Sequence, residues 1–418
     1  MIPLHWDEVV ALELGVLDGG GEIIGIKADS RDVRAGDLFV ALNAGVAFAA
    51  DARARGAATL VPDDQEGALA ALASLVRSKS DAHVVAVVGS AGKTTTKDIL
   101  GALCTPHART IWAEKSLNNE IGLPLTVCRL EPETQILVTE MGMRGLGQVA
   151  ALCKIAQPRV VVVSHIGPEH LELLGSVERV AEANAEAIAS LPAGGTAVVP
   201  AHAEALEPFL TREDDIALRR FDPDDVDMRD GTASFAVGGQ TIRLELPFTQ
   251  RHLAVNTLAA LHAYEALGLP LDRAQEGVSG IRLSPWRGEE VALPGGGFVV
   301  NDAYNANPDS MRAALEHLAE RAVERRRIAI LGEMAELGAA SEAYHREVGA
   351  LAADLEIEVI GVGGPARAYE PVAWAPTADE ALVLARTLIE PGDAVLVKAS
   401  RAVGLEGFAD EIANFARA

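Results

Sequence analysis

The sequence predicts an α/β protein in three units: a small one over residues 1–81, a central parallel sheet over 82–283 and a second sheet-and-helix unit over 284–418. Three observations carry this. First, Val- and Ile-rich runs ("VVAVV", "QILVTE", "PRVVVV") alternate in mid-chain with segments of helical period ("GLGQVAALCKIA", "SVERVAEANAEAIASL"), and such alternation argues for a parallel sheet covered by helices. Second, "GGFVV", "RRIAIL", "EIEVIGV" and "DAVLVK" repeat the alternation after about Ser284. Third, Val84 to Leu100, "VVAVVGSAGKTTTKDIL", joins a buried strand to a helix through a glycine-rich turn.

Taken in order, the first unit has short strand-like runs around Asp29, Ser30 and Arg31, then a strand in "GAATLVP" and a helix in "GALAALASLVRSKS" that ends in a polar linker, Ser78 to Asp81. The second unit opens on the turn Gly89-Ser90-Ala91-Gly92-Lys93-Thr94-Thr95. Backbone N–H groups there point into a concavity at a helix N-terminus, where the macrodipole favours an anion. Lys93 adds a cation, and a threonine hydroxyl can ligate Mg2+, so this is phosphate-loop chemistry in a short form with two residues between its glycines. "DGTASFAVGGQTIRLELPF" breaks the alternation and predicts a hairpin turning at Gly-Gly.

A net charge of −24 disfavours nucleic acid and anionic membrane as partners. Cys104, Cys128 and Cys153 are odd in number and form no C-x-x-C pair, which fits a reducing, cytoplasmic setting rather than a disulfide frame. The first residues have neither a basic segment nor an apolar core of the signal-peptide kind, and no uncharged stretch reaches the ~18 residues of a membrane span. Aromatic residues are only 4%, so the cores must be built from Ala, Val, Leu and Ile.

Polar residues at predicted strand ends are the candidates for chemistry, because ligands of open α/β sheets bind there. Glu140 follows "ILVT" and could hold Mg2+ against a phosphate. His165 and His170 follow "VVVVS", while Asn118 and Asn119 lie in the loop "KSLNNEIGLP". In the third unit "NDAYNANPDSM" puts Asp302 at a strand end, Asn305 and Asn307 in a turn, and Asp309 or Ser310 as cap of the next helix. Arg287, Lys398 and Arg401 are cations beside turns, available to clamp an anion.

"GSAGKTTT", "NNEIGLP", "VTEMG", "HLELLGS", "RHLAVNTLAA", "WRGE", "NDAYNANPDSM", "LGEMAELG" and "VKASR", in that order, resemble the ATP-dependent Mur ligases of peptidoglycan synthesis. Within that family "DAYNANPDSM" with "GEMAELG" is most similar to the ligase that joins D-alanyl-D-alanine to UDP-N-acetylmuramoyl-tripeptide. The resemblance implies a UDP-substrate domain containing Ser30 and Arg31, a P-loop ATPase domain and a C-terminal Rossmann-like domain, working as a cytoplasmic monomer with ATP and Mg2+. It implies that Lys93 and the loop amides hold phosphates, that Thr94 and Glu140 hold one Mg2+, and that His170 belongs to a second. Asn256 would contact adenine; Arg287 and Asp302 would reach phosphate and ribose. Asn118 and Asn119 would bind substrate and Asn305 would lie near the dipeptide, with the substrate-binding Lys398, Ser400 and Arg401 at the cleft between the last two domains.

The chain departs from the family pattern at four places. Asn184 stands where the family has a carbamylated lysine that bridges to the second Mg2+; Leu253 and His165 stand where asparagine is common; and the Asp-Gly-His stretch after "FVAL" is absent. At Asn184 the expectation is a weakly held second Mg2+, with Asn184 giving at most one oxygen or a water contact. The alternatives are another Mur or folylpolyglutamate-type ligase, or a nucleotide-binding paralogue that has lost ligation.

Overall fold

A computed structural model describes residues 1–212 and 215–416. The central sheet has six parallel strands in the order Ala217–Phe221, Thr196–Pro200, Val160–Val163, His83–Val88, Ile136–Glu140 and Thr110–Trp112. The continuous valines of "VVAVV" suit a strand covered on both faces. Val84, Ala86 and Val88 enter one apolar cluster, and Val85 and Val87 enter another. From His83–Val88 the chain passes to the edge strand Thr110–Trp112, returns to Ile136–Glu140 beside His83–Val88, and then crosses to Val160–Val163 on its other side, so the connections reverse direction around His83–Val88. A crevice therefore opens at the carboxyl ends of the three middle strands, which lead directly into Gly89, Met141 and Ser164.

The first unit is a four-stranded sheet, ordered Gly15–Asp18, Ala58–Pro62, Asp37–Val40 and Gly25–Lys27, with the first pair antiparallel. Its helix Gln65–Ser78 buries Leu69, Leu72 and Val76 in the same cluster as Val84, Leu137 and Val161. The small sheet is thereby fused to the central one through a shared core. The expected hairpin is present as Thr232–Val237 against Gln240–Glu245, turning at Gly238 and Gly239, with Val226–Arg229 added on its edge. Phe235 and Leu244 pack with Leu258 and Leu261 of the helix Arg251–Ala266.

The last sheet is ordered Glu289–Ala292, Phe298–Asn301, Ala394–Lys398, Arg327–Leu331, Ile357–Val362 and Ala373–Ala375, parallel except for its first strand. Neither edge strand is predicted by the sequence pattern, and Glu289–Ala292 carries two glutamates where an apolar run would mark a strand. The cap of helix Pro308–Arg321 corrects the expectation for Asp309 or Ser310. Asn307 is the cap, its Oδ1 accepting from Ser310 N–H at 2.9 Å, which leaves Asp309 free to face the central sheet. All three cysteines are free and buried, and burial pushes each thiol up to about 12. No helix among the described residues is long and apolar enough to cross a membrane.

Candidate functional site

The phosphate loop is held from behind. Gly89 has φ +130°, and a Cβ there would stand 2.5 Å from Ser164 Oγ and 2.8 Å from the His165 carbonyl oxygen. Gly92, with φ +78°, ends the loop, and a Cβ on it would stand 2.5 Å from Asn256 Oδ1. Glycine is needed at both positions for the conformation and for the close approach. Ser90 N–H donates to the His165 carbonyl at 2.9 Å, and Ser164 Oγ lies 2.6 Å from the Ala91 carbonyl oxygen. Asn184 has a scaffold role that the sequence does not predict. It is 1% exposed, its Oδ1 accepts from Gly89 N–H at 2.7 Å and its Nδ2 donates to the Val180 carbonyl. Both ends of the amide are engaged by the scaffold, and the side chain is turned to the back of the loop.

A cleft of about 860 Å³ opens in front of the loop. Ser90, Ala91, Gly92, Lys93, Thr94, Thr95, Asn118, Asn119, Glu140, His165, His170 and Asn256 line it from the central sheet. Arg287, Asp302, Asn305, Asn307, Asp309 and Lys398 line it from the last one. Gly89, Ser400 and Arg401 stand behind this wall. Ser400 Oγ accepts from Ala335 N–H at 2.9 Å, and the Arg401 guanidinium lies over Trp286 at 4.8 Å. Ser30 and Arg31 lie in a short 3-10 turn between two strands of the small sheet, away from the cleft lining, with Arg31 paired to Asp29 at 2.6 Å. That pair holds the Asp29 carboxyl down at about 2.

Lys93 Nζ donates to the Gly89 carbonyl at 2.5 Å and reaches the two Glu169 oxygens at 3.2 and 3.3 Å. Thr94 Oγ1 accepts from Arg287 Nη2 at 2.9 Å, and the Arg287 guanidinium lies 4.1 Å from the centre of the Tyr304 ring. Glu140 is 1% exposed. Its Oε1 accepts from Asn118 Nδ2 at 2.7 Å, and its Oε2 is buried without a partner among the described residues. An orphaned carboxylate oxygen beside a threonine hydroxyl at a phosphate loop is a hard donor set of the kind Mg2+ takes, the phosphates completing the shell. Lys398 Nζ lies 2.5 Å from Asp302 Oδ2 and 3.0 Å from the Asn305 carbonyl, locking that turn.

Three further bonds cross the cleft. His165 Nε2 meets Asp309 Oδ2 at 2.9 Å, Asn307 Nδ2 donates to the Ser90 carbonyl at 3.2 Å, and His170 Nδ1 meets the Glu336 carboxylate. Sequence reasoning missed Glu169, Tyr304 and the individual part of Glu336. The signal for Glu169 was its place beside His170 in the segment after "VVVVS".

The chain matches the model of the Mur ligase middle domain over residues 87–264 and that of the Mur ligase glutamate ligase domain over 286–401. It is 30% identical to the UDP-N-acetylmuramoyl-tripeptide–D-alanyl-D-alanine ligase of Escherichia coli, covering 97% of each chain. This chain belongs to the Mur ligase family. It is an ATP-dependent amide ligase, with the fold and the phosphate loop of that family. The Bacillus subtilis ligase of the same name is 30% identical over 84% of this chain and 80% of its own. Among solved structures, MurF from Acinetobacter baumannii superposes with a TM-score of 0.87 at 26% identity, covering 100% of this chain and 99% of that one. The MurF ligase of Thermotoga maritima in complex with ADP gives 0.82 at 27% identity, covering 94% and 98%.

Proposed function

We propose that this Mur ligase joins D-alanyl-D-alanine to the terminal carboxylate of UDP-N-acetylmuramoyl-tripeptide, in the cytoplasm, through an acyl phosphate. The observation that carries the reading is the cleft itself: a phosphate loop on one wall faces Arg287, Asp302, Asn305 and Lys398 on the other. Full-length likeness to ligases of that name supports the choice of substrates.

A carboxylate is a poor electrophile, and transfer of the γ-phosphoryl group converts one of its oxygens into a leaving group. ADP departs. The dipeptide amine then attacks the carbonyl carbon, the C–O bond to phosphate breaks, and the amine nitrogen sheds its proton as the amide forms. Phosphoryl transfer is mostly positioning and charge neutralisation. In this reading Lys93 and the amides of Gly89 to Thr95 hold the β- and γ-phosphates, Arg287 reaches the phosphates from the far wall, Asn256 meets adenine and Asp302 the ribose. Thr94 and Glu140 would hold Mg2+, which when bound neutralises phosphate charge. Residues 1–81, with Ser30 and Arg31, would take the uridine nucleotide, 82–283 ATP and 284–418 the dipeptide. Asn118 and Asn119 would face the tripeptide, Asn305 the dipeptide, and Ser400 and Arg401 would brace the wall that carries Lys398.

Phosphate release by the purified chain with ATP and Mg2+ tests this against a panel of UDP-muramoyl peptides and amines. Release with the tripeptide and D-alanyl-D-alanine together, and not with glutamate or single amino acids, is expected. Turnover with a different amine would reassign the substrate within the family.

A further inference from the structure

We propose that Glu169 is a ligand for a divalent cation in the cleft, taken up when nucleotide draws Lys93 away from it. The proposal rests on reading the loop as the ATP phosphate site. The Glu169 side chain is 10% exposed, and its carboxylate is neutralised here by Lys93. Lys93 is also the cation that the γ-phosphate needs. Once it turns to the phosphate, Glu169 is left as a poorly hydrated anion facing a second anion. Like charges at close range repel strongly where water is scarce. A divalent cation between them turns that repulsion into attraction.

The second ligand is already oriented. His170 Nδ1 meets the Glu336 carboxylate, and a ring that donates its Nδ1–H to a carboxylate presents the Nε2 lone pair outward. Nε2 lies 3.7 Å from Glu169 Oε1. Neighbouring ligands of an octahedral Mg2+ stand about 3 Å apart for bonds of about 2.1 Å, so a side-chain shift of under about 1 Å brings the pair to an ion. Among the described residues no three such groups form a ready-made cage. Phosphate oxygens and water complete the shell, as is usual for Mg2+ beside a nucleotide. Asn184, neutral and turned to Gly89, brings no charge to that ion.

Manganese serves as the probe, counted by electron paramagnetic resonance in the full chain saturated with a non-hydrolysable ATP analogue. Two Mn2+ per chain are expected in the wild type. Glu169→Gln and Glu169→Ala should retain the one held with Glu140 and weaken the other by about tenfold or more, the lower end of losses seen when a metal site is disturbed. Without metal, the same variants should bind the analogue at least as tightly, because Lys93 is released. A second Mn2+ of unchanged affinity in Glu169→Gln, or a single Mn2+ in the wild type, overturns the proposal and leaves Glu169 a mere partner of Lys93. Failure of the wild type to bind the analogue at all would instead overturn the phosphate-loop reading, and the proposal with it.

Discussion

Lys93 stands at the point where several charges compete: the Gly89 carbonyl, Glu169 and, in the proposed reaction, the triphosphate. Replacing it by alanine should lower ligation on the order of 10²-fold or more, the scale of one lost electrostatic stabiliser, with the circular dichroism spectrum unchanged. A variant within a few-fold of wild type would refute the loop's role. Away from the cleft, His317 shows how a single buried ring couples stability to pH. It is 6% exposed, its Nε2 has no partner among the described residues, and burial lowers its pKa to about 4, Arg321 adding to the effect and Asp302 opposing it. The unfolded chain binds this proton near pH 6.5 and the folded chain near 4, so between those values the unfolded state holds more protons. The stabilising contribution is complete above about pH 6.5 and is lost as pH falls toward about 4. Urea midpoints across that window should fall less steeply in His317→Leu than in the wild type; identical slopes would show that the ring is protonated in place without penalty.

At the scale of elements, the helix Lys93–Cys104 that begins at the loop also ties down the segment 113–115 and the start of the last unit. Lys97 is fully buried. Its Nζ donates to the carbonyls of Ala113 and Lys115 at 2.7 Å and pairs with Asp98 at 2.6 Å, while Asp98 accepts from both N–H and Oγ of Ser284. Lys97→Met would leave a buried carboxylate and two carbonyls short of their cation, a loss of about 3–5 kcal/mol by analogy with other broken buried pairs. Urea denaturation should register it, and a loss below about 1 kcal/mol would mean that water replaces the ammonium. None of this was legible in "KTTTKDILGALC", where a lysine in an amphipathic helix reads as solvated surface. The strands that were legible are those buried on both faces, such as "VVAVV" and "VLVK", whose apolar runs are dictated by the helices on either side. Glu289–Ala292 and Ala373–Ala375 were not, because an edge strand needs only one partner and tolerates charge. The site divides in the same way. Gly89, Gly92, Lys93 and Thr94 lie within six consecutive residues, so their pattern is local and legible. Glu169–Lys93 and Asn184–Gly89 are contacts between segments far apart in the chain, which local pattern does not record.

Across the whole molecule, the two walls of the cleft meet mainly through polar contacts, Arg287 with Thr94, His165 with Asp309, Asn307 with Ser90 and His170 with Glu336, with Leu171 as an apolar contact between them. Where such contacts are open to solvent they exchange with water at little net cost. Pairs that are a third or more exposed, as His165 and Asp309 are at 43% and 38%, contribute about 0–1 kcal/mol each. By contrast the small first sheet is joined to the central one by a continuous apolar cluster, so motion should be concentrated between the last unit and the rest. The closed arrangement is then only weakly favoured by the protein's own bonds, and a ligand touching both walls shifts the population by its differential affinity. Nucleotide reaching from Lys93 to Arg287 is such a ligand. Small-angle scattering should show a smaller radius of gyration for the chain saturated with an ATP analogue and UDP-substrate than for the free chain. Arg287→Ala, which removes the guanidinium that bridges to Thr94, should reduce that contraction at equal saturation. An unchanged radius on saturation of the wild type would mean that the cleft is closed in the free chain, and that substrates enter through local side-chain movements such as the release of Lys93 from Glu169.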